Sequence, residues 1–288
     1  MGIIQKYTAD ELELQYNLRL ARPDYETDIV PRWIRQSAAL RERVNCGLDL
    51  AYGQGARERL DFFPAPVKNA PTIVYFHGGY WQRGDKSVYS FLAEPFLKSG
   101  VSVALVNYDL CPAGSISGIV SQARQSLSWI WRTLEEIGAS RDRLYVMGHS
   151  AGGHITALLM ATHWPTFGAG LPHDMIKGGV PISGLFELEP LRSTSINDAV
   201  RMTAEEARMQ SPMLHVPATD APQIVVCGGR ETEEFHRQAD EYVQAFSTSK
   251  RSFDRYVVPD ADHFDELDAL RDEKSIFFQK VHALVTSL

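Results

Sequence analysis

Between residues 8 and 44 the chain is polar and helical in pattern, with no run that alternates like a strand. Thr8-Ala9-Asp10-Glu11 reads as a capping box: the threonine hydroxyl accepts from the third helical N–H, and the glutamate reaches back to the threonine N–H. Pro23 and Pro31 divide the region into two or three helices. Segment 1–45 is therefore expected to form a helical cap over one end of a sheet. At Leu48 the pattern changes. Residues 48–52 and 59–63 predict two edge strands joined by the turn Gly53-Gln54-Gly55.

An alternation of strand and helix follows. Residues 72–76 predict a buried strand, 88–97 a helix and 101–108 a second strand. Ile116, Val120, Leu127, Ile130, Trp131, Leu134 and Ile137 recur at helical spacing and predict a long amphipathic helix. Residues 144–147 read as a strand and 152–163 as a helix. Strands are then expected at 180–183, 223–227 and 253–258, and helices at 233–246 and 275–285. Such an alternation predicts an α/β fold: a mostly parallel central sheet with helices on both faces, in a single domain over residues 1–288. Residues 190–217 fit neither period and are expected to be an insertion over the site.

Composition narrows the function classes. With 44% hydrophobic and 23% charged residues the chain can bury a sizeable core. A net charge of -7 argues against a polyanionic partner such as nucleic acid. No apolar run approaches the length of a membrane span. Residues 1–20 carry Lys6, Asp10, Glu11 and Glu13, which does not suit a signal peptide. Lys6 stands where a myristoylation signal after Gly2 would need Ser or Thr. Cys46, Cys111 and Cys227 are odd in number and far apart, so neither a disulfide framework nor a zinc site is expected. These features suit a cytoplasmic protein acting on a small molecule; a homodimer stays open.

The chemistry sits on the predicted turns. Gly148-His149-Ser150-Ala151-Gly152 fits G-x-S-x-G between a strand and a helix. So sharp a turn leaves no room for neighbouring side chains, and it aims a serine out of the sheet. Ser150 is the candidate nucleophile, and the Ala151 N–H a candidate oxyanion donor. His77-Gly78-Gly79 follows the strand at 72–76. Backbone N–H groups approach an oxyanion closely only where side chains are missing, so Gly78 and Gly79 are the other candidate donors. Together these motifs predict the α/β-hydrolase fold, whose chain order is serine, acid, histidine. Of nine histidines, His263 stands in a loop after a predicted strand and His282 lies mid-helix, so His263 is the candidate base. His149 and His154 do not form a metal-binding H-E-x-x-H. The acid is sought among Glu231, Glu233, Glu234, Asp240, Asp260 and Asp262. Glu231 follows the 223–227 strand and its Gly228-Gly229 turn and fits best; Asp262 is the second candidate. Tyr80 and Trp81, next to the oxyanion loop, and His149 in the elbow are candidate substrate-binding residues. Arg83 and Lys86 are the nearby cations for any substrate carboxylate.

With these residues in place, the chain resembles the kynurenine formamidase (arylformamidase) branch of the esterase/lipase α/β-hydrolases. The resemblance rests on His77-Gly-Gly-Tyr80-Trp81, the elbow, Ser183-Gly184, Glu234-Phe235-His236-Arg237-Gln238, Asp262-His263-Phe264 and the opening helix Glu11 to Tyr16. It implies hydrolysis of an aryl-formamide bond, N-formylkynurenine to kynurenine plus formate, by a serine triad without metal or cofactor. It also implies an acid at position 231, where many members carry aspartate and this chain has Glu231. The alternatives are a short-chain carboxylesterase using the same triad and a non-catalytic small-ligand binder.

Overall fold

The computed structural model describes residues 6–137 and 139–287. Gly2, whose context argues against myristoylation, lies outside them. Among the described residues eight strands form one sheet: β1 (Gly47–Ala51), β2 (Arg59–Phe63), β3 (Ala70–Phe76), β4 (Ser102–Val106), β5 (Ala139–His149), β6 (Gly178–Ile182), β7 (Gln223–Gly228) and β8 (Phe253–Val258). Their spatial order is β1-β2-β4-β3-β5-β6-β7-β8. Only the pairs β1–β2 and β2–β4 are antiparallel. β2 is therefore not the edge strand that its sequence suggests; it is hydrogen-bonded on both sides, and four of its five residues are buried. At β6, a Cβ on Gly178 would meet Leu284 of the helix Ile276–Thr286, and one on Gly179 would meet Met160 of the helix Ala151–Met160. Successive strand residues face opposite sides, so helices cover both faces.

The strand order reverses around β3. In parallel sheets, ligands bind beyond the carboxyl ends of strands at such a switch point. Phe76 at the end of β3 lies opposite Gly148 near the end of β5, so the loops after these two strands emerge side by side.

Residues 6–45 cap that end. The capping box at Thr8 and Glu11 forms and starts the helix Ala9–Tyr16. Pro31 stands in the first turn of the helix Val30–Arg43, and a 3₁₀ turn and a π-turn lie between. Trp33, fully buried, stacks on Phe91 at 5.7 Å and holds the second helix down. The predicted helix at 88–97 is instead a 3₁₀ turn, Lys86–Leu92, followed by the helix Ala93–Lys98. Ser37 from the cap accounts for the tighter turn, because it donates to Val88 O and accepts from Phe91 N, taking backbone groups an α-helix would use. Residues 190–217 hold short helical turns rather than one irregular loop. Among the described residues no helix is long and apolar enough to cross a membrane, and all three cysteines are free.

A buried polar latch ties the cap to the helix Glu233–Phe246. Tyr16 Oη donates to Glu234 Oε2 at 2.9 Å and accepts from Gln238 Nε2 at 2.8 Å. Gln238 Oε1 accepts from the N–H groups of Phe186 and Glu187. Burial, with the Glu234 charge behind it, pushes the Tyr16 phenol well above its ordinary range, so it stays a donor. Tyr16→Phe strips one hydroxyl from two buried partners. It should lower the unfolding free energy by about 1–3 kcal/mol in urea denaturation, and an unchanged midpoint would contradict the latch.

Candidate active site

β5 runs to His149, and Ser150 then turns the chain with φ 59° and ψ -118°. This is a left-handed, strained position for a residue with a side chain. The turn exists because its neighbours have none. A Cβ on Gly152 would lie 1.9 Å from Phe76 O, and one on Gly148 would lie 2.2 Å from Gly152 O. Ser150 N donates to Ile182 O at 2.8 Å, which pins the turn to β6. Ala151 is the first residue of the following helix, so its N–H has no partner inside the helix.

The loop after β3 comes to meet this turn. A Cβ on Gly78 would lie 3.0 Å from both Ser150 Cβ and His149 O. Gly79 is required for a different reason. Its φ is +116°, and a Cβ there would strike Arg83 O at 2.3 Å, so alanine would break the loop itself rather than only displace an oxyanion. His77 braces the loop from behind. Its Nδ1–H donates to Gly78 O at 2.8 Å, and its ring stacks on Tyr108 at 4.4 Å. Burial holds this imidazole down at about 4, so it is neutral. Among the described residues, the loop and turn hydrogen bonds leave the N–H groups of Gly78, Gly79 and Ala151 unused.

His263 and Glu231 arrive from neighbouring loops. His263 Nδ1 is 2.7 Å from Glu231 Oε1, and both side chains are buried. The two loops are stitched by Arg230 N donating to Ala261 O at 2.9 Å. Asp262 points elsewhere: it accepts from the N–H groups of Phe264 and Asp265 and pairs with Arg22. Burial alone would raise its carboxyl, but Arg22 and these N–H groups outweigh burial and lower it. Glu233 pairs with Lys6, Glu234 belongs to the latch, Asp240 pairs with Arg255, and Asp260 occupies a turn at φ 56°. Of the sequence candidates, only Glu231 touches His263.

Ser150, His149, Gly78, Gly79, Tyr80 and His263 line one cavity with Leu18, Arg19, Tyr25, Trp33, Arg83, Tyr89 and Phe264. About 460 Å³ there is unfilled by atoms, part of it open to solvent. Two expectations need correction. Trp81 does not line this space. It is fully buried at φ 55°, and its ring edge packs against His154 at 5.0 Å, so it is part of the core. Residues 190–217 contribute nothing to the lining; the roof comes from the N-terminal cap. Segment 190–217 supports that roof from outside, with Ile196 O accepting from Gln82 and Ser195 donating to Glu13. Lys86 is also unavailable to a ligand, being spent on Asp49 and Asp61.

Comparison with known proteins decides the family. Kynurenine formamidase of Danio rerio is 32% identical over 92% of this chain and 92% of its own length. That of Salmo salar is 31% identical over 91% and 92%. The chain belongs to the kynurenine formamidase family. A family model described as BD-FAE matches residues 60–167. The crystal structure of a candidate thioesterase from Silicibacter sp. tm1040 superposes with a TM-score of 0.82 at 31% identity, covering 96% of this chain and 99% of that one. Esterase B of Lactobacillus rhamnosis, at 17% identity and a TM-score of 0.72 over 94% and 97% of the two chains, shares the α/β-hydrolase fold. The chain is accordingly a hydrolase of formamidase or esterase type.

Within this kynurenine formamidase relative the Glu234-to-Gln238 segment is structural, supplying the latch and setting Phe235 edge-on to the His263 ring at 5.1 Å. Sequence reasoning missed the lining from the cap, whose residues meet the site only through tertiary packing. It also missed Glu266, fully buried on the helix Asp265–Arg271. Ser183 Oγ lies 2.8 Å from both Glu266 carboxyl oxygens. Burial, and then the nearby Glu231 charge, raises this carboxyl well above 4.5, so it holds its proton. His149 Nε2, 3.6 Å away, makes no ion pair with it: that nitrogen donates to His263 O at 2.7 Å, and burial keeps the ring neutral. His149, His263 and Glu266, and likewise Cys227, Glu231 and Glu266, offer ligand atoms within 4.8 Å of one another. A divalent ion would have to displace the His149 and His263 hydrogen bonds and deprotonate Glu266, so these side chains suit a hydrogen-bonded network better than a metal site.

The sign of the Glu266 effect is testable. Unfolded, the carboxyl ionises above about 4.5; folded, it stays protonated, so the folded state binds more protons and stability falls as pH rises from there. Glu266→Gln removes that loss. Its melting temperature should gain on the wild type between pH 4.5 and 8, and a gap that shrinks over that range would contradict a protonated Glu266.

Proposed function

We propose that this hydrolase cleaves an aryl-formamide bond, converting N-formylkynurenine to kynurenine and formate through a covalent formyl-enzyme. The observation that carries the reading is the convergence of Ser150 and the Glu231–His263 pair on one cavity walled by Tyr25, Trp33, Tyr80, Tyr89 and Phe264. Rings there suit an aromatic leaving group. The likeness to curated kynurenine formamidases over most of both chains supports the same substrate.

In this mechanism Ser150 Oγ attacks the formyl carbon. His263 takes the serine proton on Nε2, while Nδ1–H stays on Glu231, whose charge stabilises the imidazolium. The oxyanion settles against the N–H groups of Ala151, Gly78 and Gly79, the first of them at the positive end of a helix. The C–N bond breaks as His263 returns the proton to the aromatic amine, which leaves neutral. Water then loses a proton to His263, attacks the formyl ester and frees formate with Ser150 restored. His149 acts as a positioning residue, since its Nε2–H holds the His263 carbonyl. This reading invokes no cofactor, nucleic acid or membrane, and takes the protein to act in the cytoplasm.

A general esterase is the second reading, favoured by the likeness to the candidate thioesterase. Initial rates with N-formylkynurenine, p-nitrophenyl acetate and p-nitrophenyl butyrate separate the two. The formamide should have the highest kcat/KM. Esters that exceed it by orders of magnitude would make the protein an esterase.

A further inference from the structure

We propose that Arg19 and Arg83, with Glu26 between them, form the subsite for the amino-acid end of the substrate. The two guanidiniums take its carboxylate and Glu26 takes its ammonium. This inference rests on the formamidase reading and extends it, since it makes a zwitterionic side chain, and not the aryl formamide alone, the recognised feature.

Both arginines line the cavity that holds Ser150. Both also line an adjoining recess with Asn17, Tyr80, Gln82, Ser195 and Ile196. They therefore stand where the aromatic chamber gives way to a polar one. The charges around them are incompletely matched. Arg19 Nη1 lies 3.3 Å and Arg83 Nη1 3.6 Å from the same oxygen of Glu26, so two cations share one carboxylate oxygen and one positive charge is left over. The other cations near the site have settled partners. Arg22 is held by Asp24, Asp262 and Asp265, Lys86 by Asp49 and Asp61, and Arg57 by Tyr108 O and Gly84 O. Burial, with the like charge of Arg19 behind it, pulls Arg83 below the ordinary arginine range, in keeping with two guanidiniums held together at some cost.

An incoming carboxylate relieves that repulsion. Guanidinium matches carboxylate with paired N–H donors, a geometry an ammonium cannot supply. The Glu26 carboxylate, released from the arginines, is then available to the substrate ammonium; its side chain is largely exposed and lines a neighbouring recess together with Tyr25 and Arg83. Tyr25, the neighbour of Glu26 in the same turn, packs on Phe264 at 4.5 Å beside His263. One turn of the cap thus presents an aromatic wall to the ring and a carboxylate to the amino-acid end. Arg19 and Glu26 come from the cap and Arg83 from the oxyanion loop, so the subsite exists only when the cap is seated.

The test compares N-formylkynurenine with 2-formamidoacetophenone, which keeps the aryl formamide and ketone and lacks the amino-acid end. Wild type should prefer N-formylkynurenine through a lower KM. Arg83→Ala and Arg19→Ala should each raise KM for N-formylkynurenine roughly tenfold or more, the scale of a lost charge-assisted hydrogen bond, with kcat little changed. Their effect on 2-formamidoacetophenone should be several-fold smaller, and Glu26→Gln should also discriminate against the zwitterion. Equal losses on both substrates would mean a structural role and overturn the subsite. So would a wild type that treats both formamides alike, although that result would leave the formamidase reading standing. Hydrolysis of neither formamide would overturn both.

Discussion

The site depends on a steric constraint at a single turn. Ser150 keeps a positive φ between β5 and its helix because Gly148 and Gly152 let backbone pass within a distance no side chain allows, with Phe76 O filling the place of the missing Cβ. Such a conformation costs about 1–3 kcal/mol and persists only where its surroundings enforce it. The enforcement comes from β3 and β6 on either side: one supplies Phe76 O, and the other accepts the Ser150 N–H. The same crowding brings Gly78 against the turn. One packing arrangement therefore sets both the proposed nucleophile and the proposed oxyanion donors, and the pair Glu231–His263 has only to reach the same point.

The cap converts this general hydrolase turn into a particular pocket. Its helices are short and broken, and they are held by contacts far away in sequence: the latch from Tyr16 to Glu234 and Gln238, and Trp33 on Phe91. Those contacts place Leu18, Arg19, Tyr25 and Trp33 over Ser150. Beneath the site, His77 and His149 are neutral through burial and Glu266 is protonated, so Glu231 is left as the buried charge beside His263.

What could be read from the sequence divides along the range of the forces involved. The elbow, the glycine pair after β3 and the helix Glu233–Phe246 rest on local sterics and periodicity, and residues close together in the chain carry those signals. The approach of Glu231 to His263 was legible because an acid just past a strand end has few places to go. Trp81 was misplaced because Tyr80 and Trp81 are consecutive and both at positive φ, and only the tertiary packing of Trp81 against His154 shows which ring belongs to the core. Residues 190–217 looked like a lid because they lack a period, yet the roof is built from the other end of the chain. Glu266 was invisible because its helix is short and acidic, a pattern that ordinarily faces solvent, and only the packing of Ser183 against it shows otherwise.

The central claim is that Ser150 is driven by His263 and that Glu231, not Asp262, supplies the charge behind it. The most direct measurement is the rate at which a fluorophosphonate forms its adduct, followed by intact mass, in wild type, Glu231→Gln and Asp262→Asn. A single adduct on Ser150 is expected, slowed by up to roughly 10⁴-fold in Glu231→Gln, the scale seen when a triad acid loses its charge, and little slowed in Asp262→Asn. No adduct in wild type, or a slow Asp262→Asn beside a normal Glu231→Gln, would contradict it.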